Sequence, residues 1–170
     1  DIPNTVKKSA QNLIDLKPDY LSIHLSGGLK MVEDVVSVKS NTKILGISML
    51  TSLDNSDLKS FGYNLSNLDY VENLARIGVK AGIDGLVSSA EEIPHLKKHF
   101  NATNMLFVTP GIRLFKNNIN DQKRINSPGQ AIKNGSKMLI IGRAITQSDN
   151  PINSIKCILQ DIEKNYEHKN

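Results

Sequence analysis

The sequence predicts an α/β fold built from parallel strands. Three observations carry that prediction: apolar runs alternate with stretches of helical period, the alternation continues throughout the chain, and five full strand-and-helix pairs fit within its 170 residues. The elements follow in order. After "DIPNT" comes a helix with Val6, Ala10, Leu13 and Ile14 on one face, then a strand over Tyr20–Ser26. A second helix carries Leu29, Val32, Val35 and Val36 at three- and four-residue spacings. The strand Lys43–Leu50 comes next, then a long loop, then a helix through Leu68, Val71, Leu74 and Ala75. The turn "AGIDG" leads into a strand over Leu86–Ser89, and Ser89 with Glu92 has capping-box spacing for another helix. A strand over Met105–Thr109 precedes a second long loop. Ser127, Pro128 and Gln130 then supply a serine cap, a first-turn proline and a capping-box partner, and Gly135 stops that helix. The strand Lys137–Ile141 is last, before a helix with Pro151 near its start and Ile152, Ile155, Leu159 and Ile162 inside.

Asp1 reads as the end of an earlier strand. An eight-unit barrel takes about 250 residues, and five-eighths of that is about 156, close to the observed 170. The count therefore predicts a (β/α)8 TIM barrel represented by about its last five β/α units. Residues 1–170 read as a single α/β-barrel domain whose first strands are missing. A doubly wound open sheet is the structural rival. It would usually carry a glycine-rich phosphate loop after its first strand, and this sequence has none there.

A composition of 39% hydrophobic and 22% charged residues suits a folded domain with a substantial core and argues against disorder. No run approaches the eighteen or so apolar residues of a membrane span, and no basic-then-apolar leader is present, which predicts a cytoplasmic protein with no membrane partner. The lone cysteine, Cys157, cannot form an internal disulfide and falls in an amphipathic helix, where packing is its expected role. The net charge of +4 comes from lysines scattered along the chain. Without an arginine cluster or an aromatic-studded basic stripe, nucleic acid is not an expected partner, whereas a small anionic substrate suits the balance.

Active-site groups of a barrel sit where strands end and the following loops begin. The polar residues there are Asp1 and Thr5, His24, Thr51, the run "TPGIR" from Thr109 to Arg113, and Gly142 with Arg143. A glycine after the last strand lets backbone N–H groups approach a ligand, and an adjacent guanidinium grips phosphate through paired donors. An ordinary turn with a surface arginine would look the same in isolation. The pairing of "IIGR" with "TPGIR" favours the phosphate reading, because barrels often hold phosphate between the loops after their last two strands. The loop Leu114–Asn126 is long and polar, as expected of a lid beside such a site, and Gln122 offers amide donors within it. His24 lies near the end of its strand, where a general base could sit, but a histidine satisfied by local hydrogen bonds is the expected reading. No His, Cys, Asp or Glu set shows metal spacing, and neither a nucleophile elbow nor a Walker loop is present.

The motifs "DIPNTV", "LTS" at residues 50–52, "TPGIR", "NDQKR" and "IIGRAIT", in this order, resemble those of the bacterial-type orotidine 5′-phosphate decarboxylases. The similarity runs from Asp1 through the final helix. It implies an eight-stranded barrel acting as a homodimer with shared active sites. The reaction it implies converts orotidine 5′-monophosphate to uridine 5′-monophosphate and CO2, in pyrimidine biosynthesis, without metal or organic cofactor. Related sugar-phosphate decarboxylases and aldolase-like synthases on the same barrel remain an alternative, as does an inactive phosphate-binding remnant. The family signature D-x-K-x-x-D-I-P-x-T is present from its second aspartate onward, so the catalytic lysine is expected three positions ahead of Asp1. The resemblance implies that Asp1 is a carboxylate contributed across the dimer, with Ile2 and Thr5 beside it at the partner's ribose. By the same resemblance, Thr51 meets the pyrimidine and Pro110 and Arg113 shape the pocket. Gln122, Gly142 and Arg143 would hold the phosphate.

Overall fold

The computed structural model describes residues 1–100, 105–114, 124 and 126–166. A sheet of five strands forms its centre: β1 (Tyr20–His24), β2 (Lys43–Ile47), β3 (Gly85–Val87), β4 (Leu106–Thr109) and β5 (Met138–Leu139). Every neighbouring pair is parallel, and the spatial order is β1-β2-β3-β4-β5. That order decides between the two architectures. A doubly wound sheet reverses its direction of growth at a switch point, whereas a barrel wall adds each strand beside its predecessor. The five β/α units are consecutive staves of a barrel wall.

Eight α-helices are described: α1 (Pro3–Ile14), α2 (Leu29–Val36), α3 (Asn55–Ser60), α4 (Asn67–Ala81), α5 (Ile93–His99), α6 (Pro128–Asn134), α7 (Arg143–Thr146) and α8 (Pro151–Tyr166). Their ends follow from local chemistry. The Ser66 hydroxyl accepts from the Asp69 N–H at 3.2 Å to open α4, and Gly82 closes it in the left-handed region that glycine enters without penalty. Ser127 and Gly135 do the same for α6. Gln130 completes no capping box there, because its side chain donates to Asn134 one turn on. At the start of α5 the opposite half of the box forms: Glu92 accepts from the Ser89 N–H at 2.8 Å, while the Ser89 hydroxyl has no partner among the described residues. The long loop expected after β2 contains α3, which a reciprocal Asp54–Asp57 capping box opens. Six residues are too few to show a helical period, so this helix was not legible as one.

Strand side chains alternate between two apolar layers. Ile44, Leu86 and Phe107 face the helices and pack with Val32, Val35, Val71, Leu74, Ala75, Ile93 and Leu96. Leu45, Val87 and Val108 form a second cluster with Ile47, Leu106 and Met138. Apolar residues on both faces are the signature of a covered parallel sheet. Asp84 fixes the register at its lower edge, accepting from the Ile44 N–H at 2.8 Å and pairing with Lys39.

Two predicted helix faces differ from expectation. Leu13 of α1 is exposed although Ala10 is buried. In α8, Ile152, Ile155 and Leu159 are exposed and Ile158 is the buried residue. The reason is the docking of α8 on α6: the Gly129 N–H donates to the Asp161 carboxylate at 2.7 Å, which turns the side bearing Ile158, Asp161 and Asn165 inward. No described helix is long and apolar enough to cross a membrane.

Candidate active site

Parallel strands deliver all their carboxyl ends to one rim, and backbone hydrogen bonds knit the loops that leave it. Past β2, the Ser48 N–H and hydroxyl both donate to the Val87 carbonyl, at 3.1 and 2.8 Å. This bends the chain across β3 and buries Met49 and Thr51. Past β3, the Ser88 and Ser89 hydroxyls are buried without a hydrogen-bond partner among the described residues. Past β4, the Thr109 hydroxyl donates to that of Ser136 at 2.8 Å, and the chain turns at Gly111, whose φ of +73° requires a residue without Cβ strain. The Arg113 N–H then donates to the Asn126 carbonyl at 3.0 Å, and the Asn126 N–H to that of Gly111 at 3.3 Å. The far end of the long loop therefore returns beside its own start. This contact covers Arg113, which is buried with its guanidinium donating to the Ile112 carbonyl at 2.8 Å.

Arg124 closes the rim. Its side chain, 10% exposed, pairs with the Glu92 carboxylate and donates to the Leu50 and Met49 carbonyls at 2.9 and 3.2 Å. Its own N–H reaches the Thr51 carbonyl at 3.3 Å. One guanidinium thus joins the loop after β4, the loop after β2 and the start of α5. Burial pushes its pKa below the ordinary arginine value, opposed by the nearby Glu91 charge, and it remains a cation. The sequence marks Arg124 only as the last residue of "NDQKR", and a lone arginine in a polar loop reads as a surface residue.

Gly142 and Arg143 follow β5, and just past that strand the Ile140 N–H donates to the Thr109 carbonyl at 2.9 Å. Both are exposed, and a Cβ on Gly142 would meet nothing within 4 Å. The space over its backbone is therefore open, and its φ of −100° and ψ of −100° fall outside the regions that side-chain-bearing residues favour. Thr51, Pro110, Arg113, Gly142 and Arg143 accordingly share one rim, the first and third buried and the last two open. Asp1 and Ile2 immediately precede α1, Thr5 lies in its first turn, and all three are exposed. Because α1 enters the lower end of β1 through residues 15–19 alone and a 12-residue helix spans about 18 Å, its first turn stands toward the same rim. Gln122 lies outside the described residues. His24 ends β1 exposed, and no hydrogen bond to its ring is present among the described residues.

A cavity of about 810 Å³ opens at the opposite end of the sheet, lined by Tyr20, Lys43, Asp84, Leu106 and Lys137 among others. In barrels that end is the structural one. The expectation that no side chains share metal spacing needs correction. Glu72 of α4 meets His95 and His99 of α5, with ligand atoms within 4.8 Å of one another. The glutamate is 23 residues from the nearer histidine, beyond the reach of local spacing.

Arg113 and Arg143 follow the ends of β4 and β5 and bring two guanidinium groups to the rim. A profile of the Orotidine 5'-phosphate decarboxylase / HUMPS family matches residues 1–158. The chain is 42% identical over 169 residues to an orotidine 5'-phosphate decarboxylase of Coxiella burnetii, covering 96% of this chain and 71% of that relative. A second, from Aquifex aeolicus, is 40% identical over 153 residues, covering 89% of this chain and 66% of that one. The crystal structure of orotidine 5'-phosphate decarboxylase from Lactobacillus acidophilus superposes with a TM-score of 0.77 at 28% identity, covering 95% of this chain and 71% of that one. Sequential parallel strands, a guanidinium-bearing rim and these matches agree, and the chain belongs to the orotidine 5'-phosphate decarboxylase / HUMPS family.

Proposed function

We propose that the strand-end rim binds orotidine 5′-monophosphate and that the protein is the carboxy-lyase releasing CO2 from it to give uridine 5′-monophosphate. The observation that carries this reading is the family match over residues 1–158, which spans every rim residue named above, together with relatives that bear the decarboxylase name. The same relatives favour it over the sugar-phosphate alternative.

In the reaction the bond between the ring carbon and its carboxylate breaks, CO2 departs, and the electron pair stays on the ring carbon until a proton arrives. The ammonium expected three positions ahead of Asp1 stabilises that pair and supplies the proton. Asp1, lent across a homodimer, crowds the substrate carboxylate, with Ile2 and Thr5 beside the ribose. Like charges about 4 Å apart cost about 4 kcal/mol at an effective dielectric near 20, worth about a thousandfold in rate if relieved at the transition state. Thr51 meets the pyrimidine, and Pro110 with Arg113 walls the pocket. Gly142, Arg143 and Gln122 hold the phosphate, the last from a lid. The open space over Gly142 supports this, since a ligand oxygen can approach its backbone there. Gripping a dianion far from the reacting carbon lets remote binding energy organise the site. The reading includes no metal or organic cofactor, a cytoplasmic location, and neither nucleic acid nor membrane as partner.

Arg143→Ala in the full gene product tests the assignment. Its kcat/KM on orotidine 5′-monophosphate should fall by more than about a hundredfold, while turnover of phosphate-free orotidine hardly changes. Equal losses on both substrates would contradict a phosphate role.

A further inference from the structure

Glu72, His95 and His99 lie on the helical layer, away from the strand-end rim, and the proposed reaction makes no use of them. We infer that these three side chains form a site for a divalent transition-metal ion of the zinc class, clamping α5 to α4. The two histidines are four residues apart on one helix, so their rings lie over the same face, with centroids 4.3 Å apart. Glu72 faces them from the neighbouring helix. One carboxylate oxygen is 2.6 Å from His95 Nε2 and the other 3.5 Å from His99 Nδ1.

Metal–ligand bonds of about 2.0–2.1 Å in a tetrahedron place ligand atoms about 3.3 Å apart. The three ligand atoms lie within 4.8 Å of one another, so rotations of the stacked imidazoles and of the carboxylate that draw them together by up to about 1.5 Å would complete three of four positions. Water takes the fourth. Two imidazole nitrogens and one carboxylate oxygen select a zinc-class ion over magnesium or calcium, which prefer all-oxygen sets. The side chains are 14%, 30% and 39% exposed in the order Glu72, His95, His99, which leaves an entry path and requires no opening of the core. Arg76, one turn from Glu72, pairs with the same carboxylate and competes with the metal as a rival cation. It is 58% exposed and can swing into solvent.

The test is a titration of the full-length metal-free protein with Zn²⁺ against a chromophoric chelator, alongside thermal melts. One ion should bind per chain, and at a hundredfold excess over the dissociation constant Tm should rise by about 5–10 °C. His99→Gln changes an exposed position that can be replaced without unfolding. It should weaken binding by more than about tenfold while the metal-free Tm and circular dichroism stay as in the wild type. Arg76→Gln should tighten binding several-fold by removing the rival. Absence of binding by the wild type, wild-type affinity in His99→Gln, or no gain in Arg76→Gln would each overturn the site, the second by locating the ion at other ligands. None of these outcomes bears on the decarboxylase reading.

Discussion

Arg124 meets Glu92 where both side chains are almost wholly shielded, 10% and 6% exposed, and neither charge has water to fall back on. Removing one partner strands the other. Arg124→Met is therefore expected to lower stability by about 3–5 kcal/mol, read from urea unfolding. The double variant Arg124→Met/Glu92→Gln should recover much of that loss, because the amide still accepts from the Ser89 N–H and carries no charge. If the double variant is as unstable as the sum of its parts, the pair is not coupled in this way. Two backbone carbonyls of the loop after β2 also rely on the Arg124 guanidinium, so Arg124→Met should impair the rim itself and raise KM as well as lowering stability. At this scale the sequence was legible for residue types at strand ends: Thr51, Arg113, Gly142 and Arg143 all stand on the rim. It was silent on Arg124, because a guanidinium's role is set by a carboxylate 32 residues away.

Among elements, the α6–α8 contact has a single identifiable cause. Gly129, in the first turn of α6, lies against the Asp161 carbonyl and the Asn165 side chain, and any Cβ there would overlap backbone. Gly129→Ala should force α8 outward at a cost of about 1–3 kcal/mol, measurable as a lowered denaturation midpoint with an unchanged slope. A neutral result would show that α8 is held elsewhere. The start and stop of α6 were readable because they are local: Ser127 and Gly135 each act within one turn. The inward side of α8 was not readable. Its apolar residues Ile152, Ile155 and Leu159 form the better stripe by period, yet Gly129 and Asp161 turn a different side toward α6.

At the scale of the whole molecule, β2, β3 and β4 are paired on both sides, whereas β1 and β5 each have one described neighbour. A closed barrel supplies the second neighbour of the outer two, so in the full gene product amide exchange should be as slow in β1 and β5 as at Leu45, Leu86 and Val108. Faster exchange confined to β1 and β5 would show that the wall does not close around them. By itself the sequence determined the alternation of strands and helices, the caps and stops that bound them, and the ordered motifs that mark the family. These are encoded by neighbours one or two turns apart, within reach of a linear pattern. Only the tertiary structure decided the singly wound strand order, the closure of the rim through Arg124 and Asn126, the orientation of α8 and the meeting of Glu72 with two histidines. Those depend on distances between residues far apart along the chain, which packing sets and no local spacing records.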